Sequence, residues 1–206
     1  MTDISPTPAT LLAEQAAGTG RAGRSPAGRV LRFAARRWPA WCGLAMAVLS
    51  LLDLEDGRGQ AVIVFLAALI YLGTAIVGKP GVVWILFGAS VVAITVLRVF
   101  QVDPWVPLIG GAVALLVLGL VSDLPRQPRL AAAQLPAMVV FGGAALTALS
   151  LSPAFGSYLV AAALIGHATL DTIVWRADKV VIRSLAEFCA VLDLTLGLLI
   201  IALQLI

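Results

Sequence analysis

The stretch AVIVFLAALIYLGTAIVG, residues 61–78, runs for eighteen positions without a charged side chain. At about 1.5 Å per helical residue it covers roughly 27 Å, near the thickness of a bilayer's hydrocarbon core, and so reads as a membrane-crossing helix. The composition of the whole 206-residue chain agrees, with 61% hydrophobic residues, 12% charged residues and a mean hydropathy of +1.02. Such values lie far outside the range of soluble globular domains. Working outward from residues 61–78, further mainly apolar stretches fall at 39–54, 82–100, 105–122, 131–150, 158–175 and 185–206. The sequence therefore predicts an all-α integral membrane bundle of about seven transmembrane helices.

Turn chemistry separates these stretches. Glu55-Asp56-Gly57-Arg58-Gly59, Lys79-Pro80-Gly81, Asp103-Pro104, Pro125 with Pro128, and Pro153 each fall between spans, where Gly and Pro punctuate helices. Charge then supplies an orientation. Six of the 14 Lys and Arg residues lie between Arg21 and Arg37. With the N-terminus cytoplasmic they share the inner side with Lys79, Arg126, Arg129, Arg176, Lys179 and Arg183, which leaves Arg58 and Arg98 outside. Twelve against two is a strong positive-inside bias. It predicts a cytoplasmic N-terminus, an outside C-terminus and residence in the plasma membrane. Trp38, Trp41, Trp84, Trp105 and Trp175 all fall near span ends, where amphipathic rings prefer the headgroup level. The formal charge of +3 and pI near 9.3 are thereby explained by topology, with no nucleic-acid partner implied.

Residues 1–28 are rich in Ala, Gly, Thr, Ser and Pro and lack a hydrophobic pattern long enough to pack, which predicts a disordered cytoplasmic tail. Residues 29–206 then comprise a basic lead-in and the seven-helix domain. A basic stretch before an apolar run has the outline of a signal peptide. Here the run after Trp38 is longer than a typical signal core, and only Leu54-Glu55-Asp56-Gly57 follows it, so it is expected to be retained as the first span. Cys42 and Cys189 both map to cytoplasmic halves of their helices. The reducing side disfavours a disulfide, and each reads as a small packing residue, with a redox or ligand role for Cys189 as the alternative.

Ionisable groups within apolar spans are the strongest functional signal, because each costs several kcal/mol or more unless paired. His167, the only histidine, and Asp171 are four residues apart and stack on one helix face about 6 Å from each other. His167 lies nine residues before Arg176, and Asp193 lies ten after Arg183. On two antiparallel helices these offsets give the two side chains matched depth, about 13 to 15 Å from their basic anchors. Asp171 and Cys189 match about one turn below. An imidazole opposite two carboxylates in hydrocarbon suits a divalent metal such as Zn, with His167, Asp171 and Asp193 as ligands. The same three residues suit an acid/base centre or a proton relay. His167 and Asp193 also fit an interhelical hydrogen bond that only fixes packing, and Asp171 is near enough to Arg176 and Lys179 to pair with a snorkelling base.

Other polar positions carry structural readings. Ser184-Leu185-Ala186-Glu187 has the form of a capping box, with Arg183 four residues before Glu187. Arg98 lies within a turn of its span end and within reach of Asp53, Asp56 or Asp103. Gln134, two residues before Pro136, either satisfies carbonyls freed by the proline or lines a cavity with His167. Gly110, Gly111, Gly142 and Gly143 are expected to permit close helix contact. Ala67-Ala68-Leu69-Ile70 recurs as Ala162-Ala163-Leu164-Ile165, the kind of echo a parallel-repeat carrier leaves.

At His167-Ala168-x-x-Asp171, Arg183-Ser184-Leu185-Ala186-Glu187-Phe188-Cys189 and Val191-Leu192-Asp193, the chain resembles small multi-pass membrane proteins encoded by actinobacteria. The likeness runs from about Trp38 to the C-terminus, and that group implies no assigned activity. More distantly, seven helices with intramembrane carboxylates look like integral-membrane terpene cyclases, whose acidic residues protonate a polyprenyl substrate. Their tryptophan-glutamate motif is absent from this sequence.

Three function classes follow. The first is a membrane-embedded enzyme acting on a lipidic or isoprenoid substrate, with His167 and Asp193 as acid/base pair or metal ligands and Asp171 as ligand or orienter. The second is a proton- or ion-coupled carrier using the same groups. The third is an accessory or assembly subunit in which the polar pair fixes packing.

Overall fold

The computed structural model of the chain describes residues 26–51 and 57–206. Most of the expected tail, and residues 52–54 of the first expected span with Asp53 and Asp56, lie outside the described residues. Among the described residues the structure is helical, with no strand.

Two compact units divide the chain after Trp38. In the first, α1 (Pro26–Arg36) begins inside the stretch expected to lack order, opened by a proline of the kind favoured in a first helical turn. Arg32 Nε donates to the Gly28 carbonyl at 3.1 Å, and the Arg37 guanidinium lies 5.8 Å from the centre of the Phe33 ring.

The second unit contains α2 (Trp38–Leu51, from its second residue), α3 (Ala61–Val77), α4 (Val83–Val99), α5 (Trp105–Val121), α6 (Gln134–Ser150), α7 (Pro153–Ala177) and α8 (Arg183–Gln204). A helical turn at Arg129–Ala132 leads into α6. Five helical stretches are long and apolar enough to cross a membrane: Gly57–Val77, Pro80–Val99, Arg129–Ser150, Pro153–Ala177 and Arg183–Gln204. The other two expected spans are shorter helices. With 14 and 17 residues, α2 and α5 extend about 21 and 26 Å. For α5 the cause is local: Pro104 stands at its N-cap, and Asp123 at φ 58° turns the chain two residues after its end.

Burial identifies the organising helix. Two thirds of the α3 span (67%) is buried, against 6% of the α4 span. Apolar residues all round α3 explain this, since no face of it favours water. It packs against α4, α5, α6 and α7, and it contributes Phe65, Tyr71 and Leu72 to the fully covered core. The outer surface of this unit is itself apolar, with Val106, Val113, Leu120, Val139, Val140 and Leu198 exposed. So much exposed hydrocarbon has the character of a lipid-facing surface.

The most extensive contact joins α7 and α8. Their connection bends through two left-handed residues, Asp178 at φ 53° and Val180 at φ 73°. A β-branched residue there is unusual and marks a connection held by its surroundings. Close approach is permitted by Gly197, where an added Cβ would stand 2.9 Å from Ile165 Cγ1 and 3.0 Å from the Ala161 carbonyl oxygen. On the other side of α8, Gly43 of α2 lets the backbones meet, because a Cβ there would lie 2.5 Å from the Phe188 carbonyl oxygen.

Several local expectations are corrected. Gly110, Gly111 and Gly143 have nothing within 4 Å of an added Cβ, so they make no close helix contact, and of the four only Gly142 abuts a neighbouring helix, at Phe65. Helix contact depends on how each helix is rotated, which small residues alone do not report. Pro153 stands at the boundary between α6 and α7, but as the first residue of α7 with Ser152 as N-cap residue, five residues before the expected start at 158. The capping box does not form. The N-cap position of α8 is Ile182, one residue before Arg183, and no side chain caps the helix. Ser184 Oγ instead accepts the indole N–H of Trp84 at 3.1 Å, while Arg183 Nε lies 3.4 Å from Asp178 Oδ1. Cys42 is exposed and Cys189 is buried, so the packing role does not apply to Cys42. Gln134 is buried, and its Nε2 donates to the Leu130 carbonyl at 2.9 Å in the break before α6.

Gly197→Val is expected to lower the unfolding free energy in detergent by about 1–3 kcal/mol, the usual penalty of overpacking. Gly110→Val should change it by less than about 0.5 kcal/mol. Helical circular dichroism during denaturation measures both, and equal losses would show that the α7–α8 approach does not depend on Gly197.

Candidate functional site

Two helices and the α3 strut bring four polar side chains together in the interior. His167 and Asp171 project from α7, Asp193 from α8 and Tyr71 from α3, and all four are buried. The i,i+4 spacing puts His167 and Asp171 on one face, and the close packing at Gly197, one turn beyond Asp193, carries the α8 carboxylate to the same place.

His167 Nδ1 stands between the two carboxylates, 3.0 Å from Asp193 Oδ2 and 3.4 Å from Asp171 Oδ2. When Asp193 is ionised, the proton must lie on Nδ1 for that contact to be a hydrogen bond. Asp171 Oδ1 accepts the phenolic hydroxyl of Tyr71, a residue exactly one hundred positions away in sequence. The imidazole is held edge-on between two aromatic rings, with centroids 5.2 Å from Tyr71 and 5.1 Å from Phe141. Rotation of the ring is therefore opposed from both helices that carry these aromatics.

The cluster is not saturated by protein groups. His167 Nε2, Asp171 Oδ2 and Asp193 Oδ1 are buried without a hydrogen-bond partner among the described residues. Each such group typically costs about 1–3 kcal/mol, and more when charged. A polar arrangement selected only to pin two helices together would be expected to close these valences.

An apolar cavity of about 90 Å³ adjoins the cluster. Leu66, Ile70, Phe87, Phe188 and Leu192 line it, and Tyr71 and Asp193 belong to the same wall with their polar atoms turned away from the space. Met46 and Val91, also in its wall, are exposed on the outside of the unit. At about 30 Å³ per water-sized group, the space accommodates roughly three such groups, the size of a few methylenes. Cys189 lies in the same wall, one turn from Asp193.

Each sequence-stated candidate is thus located. The structure brings together His167, Asp171 and Asp193, whose ligand atoms all lie within 4.8 Å of one another. The alternative pairing of Asp171 with Arg176 or Lys179 is corrected: Asp171 faces inward to Tyr71 and His167, whereas Arg176 and Lys179 are exposed. Gln134 is engaged with Leu130 and does not join the cluster. Sequence reasoning missed Tyr71 and Phe141. Tyr71 did carry a signal, a tyrosine mid-span and far from the interface where such residues usually sit; Phe141 carried none. No family model, curated protein or solved structure matches the chain.

Tyr71→Phe should lower stability by about 1–3 kcal/mol through the lost hydrogen bond. Combined with Asp171→Asn, the loss should fall short of the sum of the single losses, since both act on one contact. Detergent unfolding of the four proteins tests this, and strict additivity would separate Tyr71 from Asp171.

Proposed function

We propose that this chain is a seven-span plasma-membrane protein, N-terminus inside, that works as a membrane-embedded enzyme on a lipidic or isoprenoid substrate. The observation that carries the reading is an apolar cavity whose wall includes Asp193 and Tyr71, with the carboxylate and hydroxyl lying behind that wall. A hydrocarbon-lined space separated from proton-bearing groups only by the side chains that carry them suits a substrate that is mostly apolar and reacts at one end. A polar solute would find few partners along such a wall, which weighs against the carrier alternative.

In this reading His167 and Asp193 form the proton-handling couple. Their contact at 3.0 Å permits transfer across a single hydrogen bond. Asp171, held by Tyr71, orients the imidazole and balances charge that develops on it. The two flanking aromatic rings keep the imidazole in one orientation and exclude water from its faces. The unpartnered valences of the three residues are the positions from which a substrate group would be addressed.

The seven-span reading adds α2 and α5 to the five full-length helices. It is supported by the twelve-to-two distribution of basic residues and by Trp84, Trp105 and Trp175 near helix ends. Lengths of 14 and 17 residues suit short spans accommodated by local thinning or by flanking anchors.

Two experiments test these statements. Mass-spectrometric lipid profiles of cells expressing the wild-type chain should contain a species that is depleted or gained, and Asp193→Asn should abolish that change while the protein remains at wild-type level in the membrane. Indistinguishable profiles for both proteins would remove the enzyme reading. Reporter fusions after residues 38, 81 and 206 should report inside, inside and outside, and a cytoplasmic C-terminus would overturn the odd number of spans.

A further inference from the structure

We infer that His167, Asp171 and Asp193 bind a divalent transition-metal cation in the middle of the helical unit, with zinc as the first ion to test. The inference deepens the enzyme reading by naming an ion that its centre takes. It rests on that reading for its purpose but not for its geometry.

Charge balance is the first argument. Two ionised carboxylates and a neutral imidazole carry two negative charges, and hydrocarbon tolerates no such excess. Neutrality is reached either by two added protons or by one divalent cation. The exchange is balanced: one cation enters, two protons leave, and no other reactant is needed. Donor chemistry is the second argument, because one imidazole nitrogen with carboxylate oxygens is a set that zinc and neighbouring first-row ions accept.

Geometry is the third. Bonds of about 2.0–2.2 Å in a tetrahedral shell separate neighbouring ligand atoms by roughly 3.3–3.6 Å. Nδ1 of His167 is 3.4 Å from Asp171 Oδ2 and 3.0 Å from Asp193 Oδ2, and the ligand atoms of the three residues lie within 4.8 Å of one another, so a cation between them requires side-chain adjustment and no movement of helices. The fourth argument is independent of the clustering. Asp171 Oδ2, directed at the imidazole nitrogen, is a buried carboxylate oxygen with no hydrogen-bond donor among the described residues. A cation meets that unfilled acceptor capacity. Tyr71 supplies the outer support that metal-binding carboxylates commonly have, by holding the other oxygen of Asp171.

In this scheme the cation and the proton couple are two states of one centre. A cation on Nδ1 takes the place of the proton that Nδ1 otherwise gives to Asp193. When bound, it would supply Lewis acidity beside the cavity whose wall includes Asp193.

The test uses the full chain in detergent, stripped with a chelator and then equilibrated with zinc. Elemental analysis of the wild type should return close to one zinc per chain. Asp171→Asn and Asp193→Asn, which keep side-chain volume, should bind at least tenfold more weakly, while Asp178→Asn in the α7–α8 connection binds as the wild type does. Calorimetry in two buffers of different ionisation enthalpy should report two protons released per zinc. Should the Asn variants fail to fold, the wild type alone decides: zinc must raise its Tm relative to chelator. Folded wild type that takes up no zinc, or whose Tm is unmoved, overturns the inference, as do Asn variants that bind like the wild type. Metal-free protein that still alters the lipid profile removes the cation and keeps the enzyme, whereas a zinc protein with no lipid change does the reverse.

Discussion

The contact between His167 on α7 and Asp193 on α8 constrains the rest of the structure, because neither side chain is tolerable in an apolar interior without the other. A lone Asp at the centre of a membrane helix carries a penalty of about 2.5–3.5 kcal/mol on insertion scales. Pairing requires the two helices to run antiparallel at matched depth and to approach closely. The sequence meets each need separately, with the bent connection at Asp178 and Val180, the nine- and ten-residue offsets from Arg176 and Arg183, and the missing side chain at Gly197. Buried ion pairs are weak sources of net stability but strongly destabilising when broken. The α7–α8 geometry is accordingly the least adjustable part of the unit.

Around that pair the remaining helices divide by how much of their surface they surrender. Central α3 gives up two thirds of its span to neighbours and contributes the Tyr71 hydroxyl to Asp171. Peripheral α4 gives up almost none of its own, and it borders the cavity through the partly buried Phe87 and the exposed Val91. A loosely covered helix beside a cavity and a tightly covered helix beside the polar cluster are a sensible distribution of rigidity. Reacting groups need fixed positions, whereas a passage for a hydrophobic molecule needs a wall able to yield.

Much of this was legible because its determinants are local. Helices with apolar residues on all faces announce themselves by composition over about twenty residues, and α3, α4, α6, α7 and α8 have that length with its short lead-ins. The proximity of His167, Asp171 and Asp193 was readable from the i,i+4 rule and from counting residues to basic anchors, both one-dimensional quantities. The partner Tyr71 was not, since its meeting with Asp171 depends on the rotation of α3 in the assembled unit. The same rotation decides which glycines are used, and so Gly43 and Gly197 serve where Gly110 and Gly143 were expected. The capping box at Ser184 failed for a related reason: Trp84, from a distant helix, offers that hydroxyl a donor, and tertiary contact overrode a local motif.

The position of Tyr71, one hundred residues ahead of Asp171, has a consequence for biogenesis. Helices enter the bilayer in the order in which they are made, so α3 is in place before α7 arrives. Asp171 then meets a waiting phenol, while His167 and Asp193 belong to one hairpin and reach the membrane almost together. Partners thus flank α7 in chain order: the phenol for Asp171 precedes it by one hundred residues, and the carboxylate for His167 follows it by twenty-six.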